Sequence, residues 1–252
     1  MEFTIGISPC PNDTFIFDAI YNERIDLGSY QFKFIFADVE ELNQRAIRGE
    51  LDITKLSFHA AFKVRKSYIL FNSGSALGKG CGPLLISHSP VSTDTGYHEL
   101  SVAIPGENTT AHILADYACN NFREKKMAVF SEIENLVKEK KVDLGVIIHE
   151  NRFTYAQKGL LKVVDLGEYW ESKTGYPIPL GGICIKRDHL LHASQIDGLI
   201  RRSIEYAYSN PQESRVFIKE HAQEMEDDVI KNHINLYVND FSIELGLSLI
   251  HI

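Results

Sequence analysis

The sequence predicts an α/β protein built as two lobes, on three observations. Strand-like runs rich in Ile, Val and Phe alternate with helical periods almost to residue 190. Past that point the pattern is nearly all helical. Two stretches bearing Pro and Gly, "GPLLISHSPVSTDTGYHEL" and "YPIPLGGICIKRDHL", can carry the chain from one lobe to the other and back. Residues 1–88 with 188–252 are read as the first lobe, and residues 89–187 as a second lobe inserted into it. Strands separated by helices imply βαβ units and mostly parallel sheets. A ligand cleft is expected between the lobes, beyond the C-terminal ends of the strands.

Strands are expected at Phe3–Ile7, Tyr30–Phe36, Asp52–Leu56, Tyr68–Phe71, Pro83–Ser87, Ser101–Ile104, Met127–Phe130, Asp143–Ile148, Leu161–Asp165 and Gly182–Lys186. Each is short and bounded by Gly, Pro, Asn or Asp. The helices between them have readable starts. In "SPCPNDTFIFDAI", Asn12 or Asp13 can cap a helix beginning near Thr14, with Pro9 and Pro11 stiffening the turn. Asp38 caps a helix whose third residue is Glu41 and whose apolar side is Val39, Leu42 and Ala46. Ser131 with Glu134 forms a capping-box pattern ahead of Leu136 and Val137. Ala111, Leu114, Ala115 and Ala118 recur at helical spacing, as do Ile196, Leu199, Ile200, Ile204 and Ala207. Asn210-Pro211-x-Glu213 opens another helix with a cap, a first-turn Pro and a third-position Glu.

Bulk properties narrow the function. With 252 residues the chain can bury a sizeable core. The formal net charge is -8 and the two lysine clusters sit among acidic residues, which disfavours nucleic acid or an anionic membrane as partner. "MEFTIGIS" begins as a strand rather than as a signal peptide, and no apolar run reaches the roughly 18 residues of a membrane span. Cys10, Cys81, Cys119 and Cys184 are widely spaced and read as reduced thiols, not as a disulfide framework or zinc site. A cytoplasmic protein is expected.

Four junctions carry the candidate chemistry. "SPCPNDTF" is either a stiff helix start or one wall of a binding site. In "SVAIPGENTTAHILA", Thr109 and Thr110 open a helix whose first N–H groups suit a carboxylate or phosphate; plain capping accounts for one of the two. "DITKLSFHAAF" ends a strand with Lys55 and Ser57, residues equally at home as a surface lysine and an N-cap. "DLGVIIHENRFTYAQKGL" delivers His149 to the end of an apolar strand, where an imidazole titrating near neutrality suits a general base or serves structure. His189-x-x-His192 has metal-like spacing without a third ligand, and Gly181-Gly182 marks a close approach or a bend. The dinucleotide, P-loop and nucleophile-elbow motifs are absent from the sequence, which counts against redox, phosphoryl-transfer and serine-hydrolase chemistry.

Taken together, "SPCPNDTFIFDAI", "DITKLSFHA", "GENTTAHILA" and "GVIIHENRFTYAQKGL", in this order and spacing, resemble the 1,4-dihydroxy-6-naphthoate synthase family of the futalosine route to menaquinone. The resemblance continues through "PIPLGGICIKR" and "HINLYVNDFSIELG". It implies a type II periplasmic-binding-protein-like fold. It further implies a carbon–carbon lyase acting on cyclic dehypoxanthinylfutalosine, with no metal or redox cofactor. In the family pattern the histidine of "VIIHE", here His149, is the proton acceptor. Substrate contacts fall on Lys55, Leu56, Ser57, Thr109 and Thr110, with Asp13 and Asn43 as further polar contacts. Cys10 is read as packing. Members of the family continue into a further C-terminal helix, whereas this sequence stops soon after "SIELG", at "LSLIHI", so a helix covering the first lobe is expected to be missing or replaced. The rival expectations are the sister chorismate dehydratase of the same fold and a solute-binding protein that captures a small carboxylate without reacting.

Overall fold

Phe3, Ile5 and Ile7 are buried on the first strand, and the helix after it is buried along almost its whole length. These apolar runs start the first of two compact units in the computed structural model, which describes residues 1–92, 96–222 and 226–246. The first unit comprises Met1–Gly78 and the chain from Pro179 onward; the second is Lys79–Ile178.

The first unit runs β1 (Glu2–Ile7), α1 (Pro11–Tyr21), β2 (Gln31–Phe36), α2 (Val39–Ile47), β3 (Ile53–Ser57), α3 (Phe58–Lys63), β4 (Tyr68–Leu70) and β5 (Ala76–Gly78). The second contains β6 (Leu84–Ser87), β7 (Ser101–Ile104), α4 (Thr110–Ala118), β8 (Glu124–Met127), α5 (Phe130–Lys138), β9 (Leu144–Ile147), α6 (Asn151–Thr154), β10 (Leu161–Asp165) and α7 (Leu166–Thr174). β11 (Ile178–Lys186) returns the chain to the first unit, followed by α8 (Ala193–Ser209), α9 (Pro211–His221), α10 (Asp227–Tyr237) and α11 (Asp240–Ile243).

The two sheets share one plan. The first is ordered β2-β1-β3-β11-β4, with β5 beside β11; the second is β8-β7-β9-β6-β10. In each, three parallel strands are followed by one reversed strand, β11 or β6. That reversed strand is the one by which the chain arrives from the other unit. The strand expected at Pro83–Ser87 thus belongs to the second sheet, and the chain leaves the first unit near Gly78 rather than at residue 88.

A matching clamp closes the N-terminal end of each sheet. Asp52 Oδ2 accepts from the N–H and Oγ1 of Thr4 at 2.9 and 2.8 Å, and its own N–H donates to Thr4 Oγ1 at 2.9 Å. Asp143 does the same with Ser101, at 2.8, 2.7 and 3.0 Å. Burial pushes both carboxyls up, but the bonds from Thr4 and His189, and from Ser101 with Arg123, outweigh it and hold both below the ordinary value.

Helices cover the sheets with the apolar residues their spacing predicts. Ile196, Leu199, Ile200, Ile204 and Ala207 of α8 join Ile5, Ile7, Ile16 and Ile183 in the main core. Leu56, Ala46, Ala60 and Tyr68 fill a smaller cluster with α2 and α3. In the second unit Ile133 and Val137 of α5 pack on β9 so closely that a Cβ at Gly145 would lie 2.6 Å from Ile133. None of the described helices is long and apolar enough to cross a membrane.

Three local expectations are corrected. The strand expected at Met127–Phe130 lies earlier, at Glu124–Met127, and Phe130 already begins α5. Its "EKKM" is a fully exposed edge, where charges replace apolar residues and discourage further pairing. Ser131 and Glu134 form no capping box: the helix starts at Phe130, and Glu134 is turned into the interior. Neither Asn12 nor Asp13 caps α1, which starts at Pro11 after Cys10. The sequence pattern does not anticipate β5.

Candidate active site

In the first unit, the residues singled out by sequence gather where β1 and β3, parallel neighbours, end. Lys55 points from β3 to α1 and pairs with Asp13 at 3.0 Å, both side chains being almost wholly buried. Asp13 Oδ2 also accepts from the N–H and hydroxyl of Ser8, at 3.1 and 2.7 Å, and Oδ1 from Asn12 Nδ2 at 2.8 Å. Asn12 Oδ1 in turn faces Nε2 of the fully buried His233 at 3.0 Å, so the donor there is the Nε2–H tautomer. The two prolines of "SPCPNDTF" therefore frame a turn whose polar side chains bind one another across helix, strand and α10.

Ser57 and Asn43 are the second pair. Asn43 Oδ1 accepts from the Ser57 N–H at 3.0 Å, and its Nδ2 donates to Ser57 Oγ at 3.2 Å. Ser57 precedes α3, as expected of a cap, but its side chain makes no capping bond. Leu56 alternates to the opposite side of β3 and lies in the apolar cluster with Ala60 and Cys184. It can meet a ligand only through its backbone.

In the second unit, β7 and β9 are likewise parallel neighbours. Beyond β7, Thr109 caps α4: its hydroxyl accepts from the His112 N–H at 3.2 Å and donates to Gly106 O at 2.8 Å. Thr110 is the first residue of α4. Beyond β9, whose four residues are all buried, lies His149. Its φ is +56°, the left-handed region that a residue with a Cβ seldom adopts. Its ring meets the Phe130 ring edge-on, with centroids 5.0 Å apart.

The turn after His149 is bound firmly into its unit. Arg152 donates to Asp165 Oδ2 at 2.7 Å and to the Gly82 carbonyl. Asn151 donates to the buried Glu134 carboxylate at 2.6 Å, and Lys158 to the same oxygen at 2.6 Å. Sequence reasoning alone does not reach these partners. The one signal for Glu134 is its place in the stripe Phe130, Ile133, Glu134, Val137, a charged residue where helical spacing asks for an apolar one.

Elsewhere the alternatives lose support. Burial pushes the Cys81 and Cys184 thiols up to about 12 and raises Cys119 as well, so these are not thiolate nucleophiles. His189 bonds Asp52 at 3.0 Å and His192 faces the Tyr30 hydroxyl at 3.2 Å, two separate structural roles rather than a shared metal. A Cβ at Gly181 would lie 2.6 Å from the Leu56 carbonyl, so that glycine serves strand packing.

The fold matches a crystal structure of an Archaeoglobus fulgidus protein with a TM-score of 0.91 at 28% identity, covering 99% of this chain and 93% of that one. It matches the periplasmic aliphatic sulphonate binding protein of Escherichia coli with a TM-score of 0.69 at 11% identity, over 94% and 79% of the two chains. This is the periplasmic-binding-protein-like fold. Proteins named 1,4-dihydroxy-6-naphthoate synthase from Thermus thermophilus and Streptomyces coelicolor are each 42% identical, over 96% of this chain and 88% and 86% of theirs. With the menaquinone biosynthesis family model also matching residues 3–249, the chain belongs to the menaquinone biosynthesis family.

Proposed function

We propose that this protein is a carbon–carbon lyase that converts cyclic dehypoxanthinylfutalosine to 1,4-dihydroxy-6-naphthoate, with His149 as general base. The identity to two synthases over nearly the whole chain carries the reaction. His149, held in a left-handed conformation at the end of a buried strand, carries the choice of base.

Breaking a carbon–carbon bond next to a carbonyl requires removal of a proton and stabilisation of the oxyanion that forms. His149 would take the proton; the aromaticity of the naphthalenediol product supplies the thermodynamic pull. Thr110 and the first N–H groups of α4 suit the carboxylate that persists from substrate to product. Thr109 acts there by shaping the turn, since its hydroxyl proton goes to Gly106 O. Ser57, held by Asn43, would bond an oxygen on the sugar-derived ring, and Leu56 would contribute its backbone. Lys55, aimed by its ion pair with Asp13, would offer an ammonium N–H to a developing oxyanion.

Ultraviolet absorbance on mixing protein with cyclic dehypoxanthinylfutalosine tests this. Naphthoate absorbance should grow with wild type and not with His149→Ala, while the variant still binds substrate. Turnover in His149→Ala equal to wild type would remove the base assignment, and a flat wild-type trace with binding intact would remove the lyase.

A further inference from the structure

The buried side of α5 carries a carboxylate that neither capping nor core packing explains. Glu134 is 3% exposed, between Ile133 and Val137. A carboxylate is stripped of water there only at heavy cost unless partners replace it. Its partners, Asn151 Nδ2 and Lys158 Nζ, both converge on Oε2 at 2.6 Å. Oε1 is buried with no hydrogen-bond partner among the described residues. One oxygen therefore fixes the start of the turn that follows His149.

Helix α5 touches that turn at two places. Phe130, its first residue, sets its ring against the imidazole, and Glu134, one turn later, holds Asn151. Arg152, bound to Asp165 and Gly82, secures the far side of the same turn. Between these fixings His149 stays at φ +56°, a conformation the local chain disfavours. Released at Asn151, residue 149 can relax to negative φ, which would redirect its Cα–Cβ bond and carry the imidazole away from Phe130.

We propose that Glu134 is a positioning residue which, acting through Asn151, keeps His149 left-handed and its imidazole in one orientation. This rests on the reading of His149 as the base, and the test separates the two. The variants are Asn151→Ala, Glu134→Ala, Glu134→Gln and the exchange Glu134→Gln with Asn151→Asp, in which the hydrogen bond re-forms with donor and acceptor reversed. The readouts are kcat and KM for naphthoate formation, and the imidazole NMR titration of His149, assigned by its disappearance in His149→Ala.

Asn151→Ala and Glu134→Ala should lower kcat by ~10–100-fold with KM changed less than about 3-fold, the scale of a misplaced catalytic group. Both should move the His149 titration. Glu134→Gln and the exchange should restore kcat to within about 5-fold of wild type. If Glu134→Ala does not fold, Asn151→Ala decides alone, since it leaves the Glu134–Lys158 pair intact. Unchanged kcat and an unchanged titration in folded variants would overturn the proposal, as would a lower melting temperature with the titration unmoved. Should His149→Ala turn over normally, the base assignment falls, while the NMR titration still decides whether Glu134 orients the ring.

Discussion

At most positions alanine is more stable than glycine by about 0.5–1 kcal/mol, because glycine loses more chain freedom on folding. Residue 149 should reverse that order. Its φ of +56° costs an L-residue with a Cβ about 1–2 kcal/mol, and glycine nothing. Both substitutions remove the imidazole that packs on Phe130, so that effect cancels between them. Subtracting the entropic disadvantage leaves His149→Gly more stable than His149→Ala by about 0.5–1 kcal/mol. At the size of this chain that difference is about 1–4 °C in midpoint. Trp170, the one tryptophan, lies on α7 in the same unit as His149, so its fluorescence follows the relevant unfolding in urea. Both variants should lack activity. A His149→Ala protein as stable as His149→Gly, or more so, would refute the claim that the turn holds this residue under backbone strain, and would weaken every argument built on that strain.

Three further outcomes are expected. Lys55→Met should destabilise by about 3–5 kcal/mol by leaving the Asp13 carboxylate buried without its cation; Asp13→Asn added to it should recover part of that stability in a double-mutant cycle followed by circular dichroism, and strict additivity would mean the pair is not coupled. Gly82→Ala would bring a Cβ to 2.4 Å from the Gly167 Cα, a backbone atom that cannot yield like a side chain, and should cost about 1–3 kcal/mol in Trp170-monitored unfolding. Asp52 and Asp143 lie below the ordinary carboxyl value when folded, so their stabilisation is complete above the unfolded value of about 3.9 and is lost as pH falls through the folded one. Asp52→Asn and Asp143→Asn should therefore flatten the acid limb of stability against pH, and an acid limb as steep as wild type would count against the clamps.

Much of this protein is readable wherever a local rule and the tertiary structure agree. The periodicity of α8 names its buried face residue by residue, and Asp38 caps α2 by bonding the Glu40 N–H, as its place before an apolar period suggests. The misreadings come from places where tertiary position overrides local pattern. "MAVF" looks more like a strand than "EKKM", yet the polar run forms the edge strand because one exposed edge of a parallel sheet needs no apolar side chains. Ser131 and Glu134 have capping-box spacing, but the box requires an exposed glutamate, and this one is drawn inward by Asn151 and Lys158. At the site, strand ends and helix starts point to Lys55, Ser57, Thr109 and His149. His233 does not show, since its partner Asn12 lies 221 residues away in sequence and nothing local marks a histidine of α10 as bonded to it.

The Thr4–Asp52 and Ser101–Asp143 clamps have a consequence for how such a protein can change over evolutionary time. β3 runs from its clamp at Asp52 to Ser57, and β9 from Asp143 to the residues before His149. At about 3.3 Å per residue, each clamp and the candidate site residues at the far end of its strand are about 15–20 Å apart. Substitutions that alter what a strand end recognises leave the clamp's hydrogen bonds untouched, so new specificity can be explored without first dismantling the sheet.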